Sequence, residues 1–228
     1  MRRYVFPLIL GLGGCAVLIG LGVWQVGRQA EKTALLAAIE ARIGGAAEAI
    51  PDAATAAADP AVMRYQPVEV DGRTTGEELF VLSGKKGLGA GYEVIAAFET
   101  AEGRRVLLDR GFIPEDQGGA ARAPVALAVT GNLHWPDEAD SYTPAPDLTR
   151  NLWFARDVPS MAAHLGTEPI LIVARDITGD AQGVEPVPLD TTGIPNDHTG
   201  YAITWFSLAV VWAGMTGYLL WRIRRKTI

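Results

Sequence analysis

The chain has 228 residues, 49% of them hydrophobic, a formal net charge of −6 and one cysteine, Cys15. A single cysteine excludes a disulfide framework, a Cys-x-x-Cys-His attachment for c-type haem, and a thiol pair for exchange or copper carriage. The four methionines are scattered, which fits copper delivery poorly, and the acidic balance argues against nucleic acid as a partner.

Two apolar stretches sit at opposite ends, Tyr4 to Val26 and Tyr201 to Trp221, and neither carries a charge in its interior. Each has the roughly 20 residues that a helix needs to cross a hydrocarbon core of about 30 Å. All 26 acidic residues lie between them with 14 of the 20 basic ones, a formal charge of −12 for that segment. Arg2, Arg3, Arg222, Arg224, Arg225 and Lys226 flank the outer ends. Basic flanks stay cytoplasmic, so both termini are expected inside and the middle of the chain exported. Arg2 and Arg3 before an apolar run also suit a signal peptide, and Leu12-Gly13-Gly14-Cys15 looks like a lipoprotein cleavage site. Cleavage there would leave a further apolar run where a polar tether belongs, so an uncleaved anchor over residues 1–26 is the expectation.

From Gly27 the helix is expected to continue to Ile43, with Ala30, Ala34, Leu35, Ala38, Ile39 and Ile43 near one face and Gly44-Gly45 as its stop. Residues 46–63 are Ala-rich, contain Pro51 and Pro60, and read as a loosely ordered linker after this helical extension (27–45). Residues 64–200 carry short β-type runs: Tyr65–Val70, Glu78–Ser83, Tyr92–Phe98, Arg105–Phe112, Val125–Leu133, Leu152–Arg156 and Pro169–Ala174. Glycines and prolines separate several of these, which predicts an antiparallel sheet or barrel-like domain. One short helix fits Pro159–Leu165, with proline in its first turn and Gly166 as its stop. Residues 201–221 form the second span and 222–228 a basic tail. The predicted class is therefore a membrane α+β protein: two transmembrane helices flanking an extracytoplasmic, mainly antiparallel β domain with a short helix. Ala16/Gly20 and Ala213/Gly217 offer small-xxx-small spacings for pairing of the spans.

Catalysis finds no support. Gly84 to Gly91 is glycine-rich with Lys85 and Lys86, but lacks the phosphate-loop order and joins two strands. No Gly-x-Ser-x-Gly surrounds Ser83, Ser141, Ser160 or Ser207, and His134, His164 and His198 are too far apart for a metal motif. His198 stands out by position, three residues before Tyr201 at the mouth of the second span. A neutral imidazole there can ligate a haem iron. On a continuing helix Tyr201 and Trp205 fall on the same face, and Trp24, Gln25 and Arg28 end the first span at a similar depth. Arg28 can pair with a propionate. The same residues also suit an interfacial aromatic belt, and Asn196-Asp197-His198 a helix cap.

Gly22-Val23-Trp24-Gln25-Val26-Gly27-Arg28, followed by Lys32, resembles the Gly-x-Trp-Gln-x-x-Arg-x-x-x-Lys signature of the surfeit locus protein 1 family. Pro195-Asn196-Asp197-His198-Thr199-Gly200-Tyr201 through Phe206 resembles that family's second-span signature. Tyr65 to Val68, Gly91 to Val94, Val106 to Pro114 with Arg110-Gly111-Phe112, and Asn151-Leu152-Trp153 echo further blocks in order. The resemblance implies assembly of haem–copper cytochrome c oxidase, with haem a as a transiently bound cofactor and no enzymatic activity. It further implies the oxidase large subunit as partner, the haem a synthase as a second one, and the lipid bilayer as surroundings. Carried over by position, His198 is the haem ligand, and Trp24, Gln25, Arg28, Tyr201 and Trp205 line its site. A scaffold that never touches haem is the rival reading. Family members often have Asn-Asn-His-Leu where this chain has Asn196-Asp197-His198-Thr199. The N-terminus is unlike an organelle transit peptide, which points to a bacterial inner membrane.

Overall fold

The computed structural model describes residues 2–85 and 89–225. Lys86 and Gly87 of the glycine-rich loop and Lys226 of the basic tail lie outside the described residues. In chain order the elements are α1 (Arg2–Ile43), β1 (Glu48–Ala49), α2 (Ala53–Ala58), α3 (Pro60–Met63), β2 (Pro67–Lys85), β3 (Gly89–Thr100), β4 (Arg105–Pro114), β5 (Ala126–Leu133), β6 (Leu152–Trp153), α4 (Val158–Leu165), β7 (Leu171–Gly179) and α5 (His198–Arg225). They fall into two compact units, one of residues 1–38 with 191–228 and one of residues 39–190.

The first unit is a pair of helices, each long and apolar enough to cross a membrane. Along α1 the less exposed positions are Gly11, Gly14, Leu18, Gly22, Gln25 and Gln29; along α5 they are His198, Ala202, Trp205, Ala209, Trp212 and Thr216. Steps of three and four make this a seam of period close to seven, the pattern of knobs into holes. Close approach uses glycines on α1 against large side chains on α5. A Cβ at Gly11 would fall 2.2 Å from Thr216 Cγ2, one at Gly14 2.3 Å from Trp212 Nε1, and one at Gly22 2.6 Å from the Phe206 ring. The Trp212 indole donates to Gly11 O at 3.2 Å. This corrects the expected small-xxx-small pairs: Ala16, Gly20, Ala213 and Gly217 all lie on the exposed faces, because the seven-residue period places other residues at the seam.

In the second unit, long strands close on themselves. β2 pairs antiparallel with β3 through its C-terminal part and with β5 through its N-terminal part. β3 pairs with β4, β4 runs parallel to β7, and β7 returns antiparallel to β5, so five strands form a barrel-like ring. Tyr65–Val70 and Glu78–Ser83, expected as separate strands, fall from Pro67 onward into one 19-residue strand. A register shift between Thr74 and Glu78 bends it, and Gly76 takes φ +85° there, a conformation that suits glycine.

Alternation along the strands feeds two cores. Val106 and Leu108 of β4 join Val70, Phe98, Val129 and Ile172 on one side. Leu107 joins Ile95, Leu171 and Val173 on the other, where Val158, Met161 and Leu165 of α4 cover the sheet. Asp157 caps α4 by accepting from Ser160 N, Pro159 sits in its first turn, and Gly166 ends it in the left-handed region.

The Ala-rich segment expected to be a loose linker is ordered. β1 pairs parallel with β2, and Asp52 and Asp59 cap α2 and α3. Ala56 is 1% exposed in the barrel core, and Arg104 donates to the carbonyls of Ile50 and Pro51. Small side chains let this segment lie flat on the barrel, where aspartate caps replace the hydrogen bonds that a short helix lacks.

Ion pairs tie the loop before α4 to the sheet. Arg156 reaches Asp109 at 3.1 Å and Glu93 at 3.2 Å, and also pairs with Glu138. Burial first and Glu93 second push the Asp109 carboxyl up to about 7. Nearby, burial and then the positive charges of Arg156 and Arg64 push His134 down to about 4. These shifts oppose each other. From about pH 4 to 7 folded Asp109 keeps a proton that the unfolded chain releases, so its contribution to stability falls as pH rises. From about pH 4 to 6.5 the unfolded chain protonates His134 and the folded chain does not, so that contribution rises. Each alone gives a slope of about 1.4 kcal/mol per pH unit. The pair is therefore expected to cancel up to about pH 6.5, with stability falling beyond it. Asp109→Asn should leave a rising profile from pH 4 to 6.5, and His134→Gln a continuous fall. Urea midpoints of the three proteins in detergent, taken across this range, check it; superimposable profiles would remove both groups from the account.

Candidate functional site

The helix pair brings one predicted couple together. α5 begins at His198, with Tyr201 N bonded to Asp197 O in its first turn. Gln25, one turn beyond Gly22 on the α1 seam, is 8% exposed. Its side-chain Oε1 lies 2.8 Å from His198 Nδ1, a contact that spans 173 positions of sequence. The tight Gly22–Phe206 approach next to it sets the helix separation at which this hydrogen bond forms.

The other predicted residues surround this couple less closely. Trp24 and Tyr201 are 56% and 58% exposed, offering aromatic surface on the outside of their helices. Arg28 pairs with Glu31 at 2.6 Å, one turn further along α1. Both side chains are more than half exposed, so the pair contributes little and can exchange partners. Trp205, two turns past His198, belongs to the seam, and its indole Nε1 is buried without a hydrogen-bond partner among the described residues. Asn196 Oδ1, two residues before His198, and Gln29 Oε1, one turn past Gln25, are also buried and unpartnered. Gln29 and Asn196 do not stand out in the sequence. Their signal lies in the polar seam position of Gln29 and in the Asn-x-His spacing, and neither by itself demands a ligand.

Each of these unsatisfied polar atoms costs free energy until it finds a partner. The site holds a ring nitrogen with one face engaged, a buried N–H donor, two buried carbonyl acceptors, exposed aromatic surface and an exposed arginine. It has no nucleophile and base in contact. Among the described residues no group of three His, Cys, Asp or Glu side chains is placed to hold a metal ion.

Two apolar helices at the ends of the chain, a barrel-like β domain in the sequence between them and a histidine–glutamine couple across the helix seam define the class of protein: a β domain flanked by two helices apolar enough to cross a membrane. The model of the SURF1 family matches residues 12–210, so the chain belongs to the SURF1 family. It is 31% identical to a SURF1-like protein of Monosiga brevicollis, over 92% of this chain and 84% of that protein. It is 30% identical to surfeit locus protein 1 of Rattus norvegicus, over 91% and 72%. A SURF1-like protein of Rickettsia felis is 28% identical, over 85% and 88%. Membership of this family implies a role in cytochrome c oxidase assembly.

Proposed function

We propose that this protein is a membrane-anchored assembly factor that takes up haem a as cargo at His198 and passes it to the large subunit of the oxidase. The observation that carries the reading is the placement of His198 on Gln25 at the end of the helix seam, with unsatisfied buried polar atoms beside it. The residues fit the group. His198 offers a neutral imidazole nitrogen to iron. Arg28 can leave Glu31 for a carboxylate on the ring edge, and Trp24 and Tyr201 offer aromatic faces. Haem a, when bound, supplies the redox centre that the oxidase requires. A single axial histidine would be compatible with a carrier that must release its load.

In this reading α1 and α5 cross a bacterial inner membrane. The basic residues outside their ends keep both termini in the cytoplasm and place the β domain in the periplasm. There the domain docks oxidase subunits or the haem a synthase. An optical spectrum of the protein, coexpressed with haem a synthesis, tests the proposal. A haem a spectrum is expected in the wild type and is expected to be lost or shifted to another ligand field in His198→Ala. A haem-free wild type that still copurifies with oxidase subunits would establish the scaffold reading instead.

A further inference from the structure

The contact between Gln25 and His198 has a chemical direction. With Oε1 rather than the amide nitrogen turned to the ring at 2.8 Å, the carbonyl can only accept and the shared proton belongs to Nδ1 of the imidazole; the opposite turn of the amide would donate to Nδ1 and leave the proton on Nε2. Neutral imidazole carries one proton, and placing it on Nδ1 leaves the lone pair on Nε2. We infer that Gln25 is a positioning residue that holds His198 in the tautomer whose Nε2 is free to bind iron; this role rests on the haem reading above. In water the neutral ring prefers its proton on Nε2, the tautomer that blocks that atom. Gln25 reverses the preference before any cargo arrives.

Placement favours this role over a chance contact. The α1 seam before Gln25 consists of Gly11, Gly14, Leu18 and Gly22, so Gln25 is its first amide. It is 8% exposed, which keeps water from competing for the imidazole proton. Its partner is the first residue of α5 and comes from the opposite end of the chain, so the bond forms only when the two helices are paired. An amide also differs from the carboxylate found behind many histidine ligands. A carboxylate raises the basicity of the ring and tightens the metal bond, whereas a neutral carbonyl orients the ring with less effect on basicity. That suits a group that must bind and then let go. The assignment thereby separates Gln25 from the aromatic residues and Arg28: it acts through His198 and need not touch the cargo.

The experiment compares wild type, Gln25→Leu and Gln25→Glu as full chains in detergent micelles, with ¹⁵N-labelled histidine. In the cargo-free wild type the His198 resonances should report protonated Nδ1 and bare Nε2. Gln25→Leu should shift the ring toward protonated Nε2 and weaken uptake of haem a by about 10–100-fold. Gln25→Glu keeps an acceptor and should restore both the tautomer and uptake, with a lower reduction potential and slower release. If Gln25→Leu leaves tautomer and uptake unchanged, the inference is overturned. It is equally overturned if Gln25→Glu fails to restore a tautomer lost in the leucine variant. A wild type that shows the Nδ1 proton but takes up no haem a overturns the cargo reading and the ligand role of this tautomer. A wild type that takes up haem a with Nε2 protonated beforehand overturns only the assignment of Gln25.

Discussion

Glu78→Ala is expected to destabilise the β domain by about 3–5 kcal/mol, because it leaves buried cations without their counter-charge. The Glu78 side chain is 5% exposed and serves two guanidiniums, Arg110 at 2.6 Å and Arg122 at 3.1 Å. Arg110 is completely buried, and its Nε has no partner among the described residues. Its remaining bonds run to Ala181 O at 3.0 Å and Gln182 Oε1 at 3.2 Å, both neutral. Glu78 is the carboxylate that Arg110 pairs with among the described residues, so without it the fully buried charge keeps only neutral partners there. Glu78→Gln keeps an acceptor but loses the charge, so an intermediate loss is expected. Pairing Glu78→Ala with Arg110→Leu removes both halves of the ion pair and should recover much of the stability. Urea unfolding of the four proteins gives the comparison. A Glu78→Ala protein within about 1 kcal/mol of wild type, on the order of an exposed pair, would mean that water reaches this cluster.

The burial of Arg110 shows where the sequence stops being informative. Arg105–Phe112 reads as a β-type run, and its hydrophobic residues Val106, Leu107, Leu108 and Phe112 lie in the core. A charge in a strand, however, is ordinarily taken to face solvent, and nothing local reveals that Glu78, 32 positions earlier, closes over it. Barrel closure is hidden for a related reason. Gly72 and Gly76 look like strand breaks, yet the ladder bends through them and lets one strand pair on both sides. Elements with a strong local signal are legible: the apolar runs of α1 and α5, and the proline and glycine that bound α4. At the candidate site, His198 can be picked out by its place at a helix mouth, and Gln25 only through its signature block. The hydrogen bond between them depends on the helix register, which is set by Gly11, Gly14 and Gly22 rather than by the small-residue pairs that the sequence advertises. Arg28 pairs with Glu31, three residues on along the helix, a local partner that depth in the membrane does not reveal.

Gly111→Ala is expected to be the most damaging single-methyl change in the domain, costing roughly 4 kcal/mol or more. Two independent penalties add. Gly111 takes φ +119°, outside the range of an L side chain, so alanine would force the backbone of β4 to rotate. A Cβ in its present place would lie 2.0 Å from Glu185 O and 2.6 Å from the next Cα, both rigid backbone atoms. Relief requires the 181–186 segment to move away. That segment is held by reciprocal hydrogen bonds between Phe112 and Glu185, at 2.8 and 3.0 Å. It also supplies Ala181 O and Gln182 Oε1, the neutral acceptors on which Arg110 depends. Displacing it would therefore loosen the ion cluster as well as the strand, coupling this site to Glu78. If so, Gly111→Ala combined with Glu78→Ala should cost less than the sum of the two, because the first has already weakened what the second removes. Full additivity in urea unfolding would place the damage in β4 alone, and a Gly111→Ala protein as stable as wild type would show that the 181–186 segment yields freely.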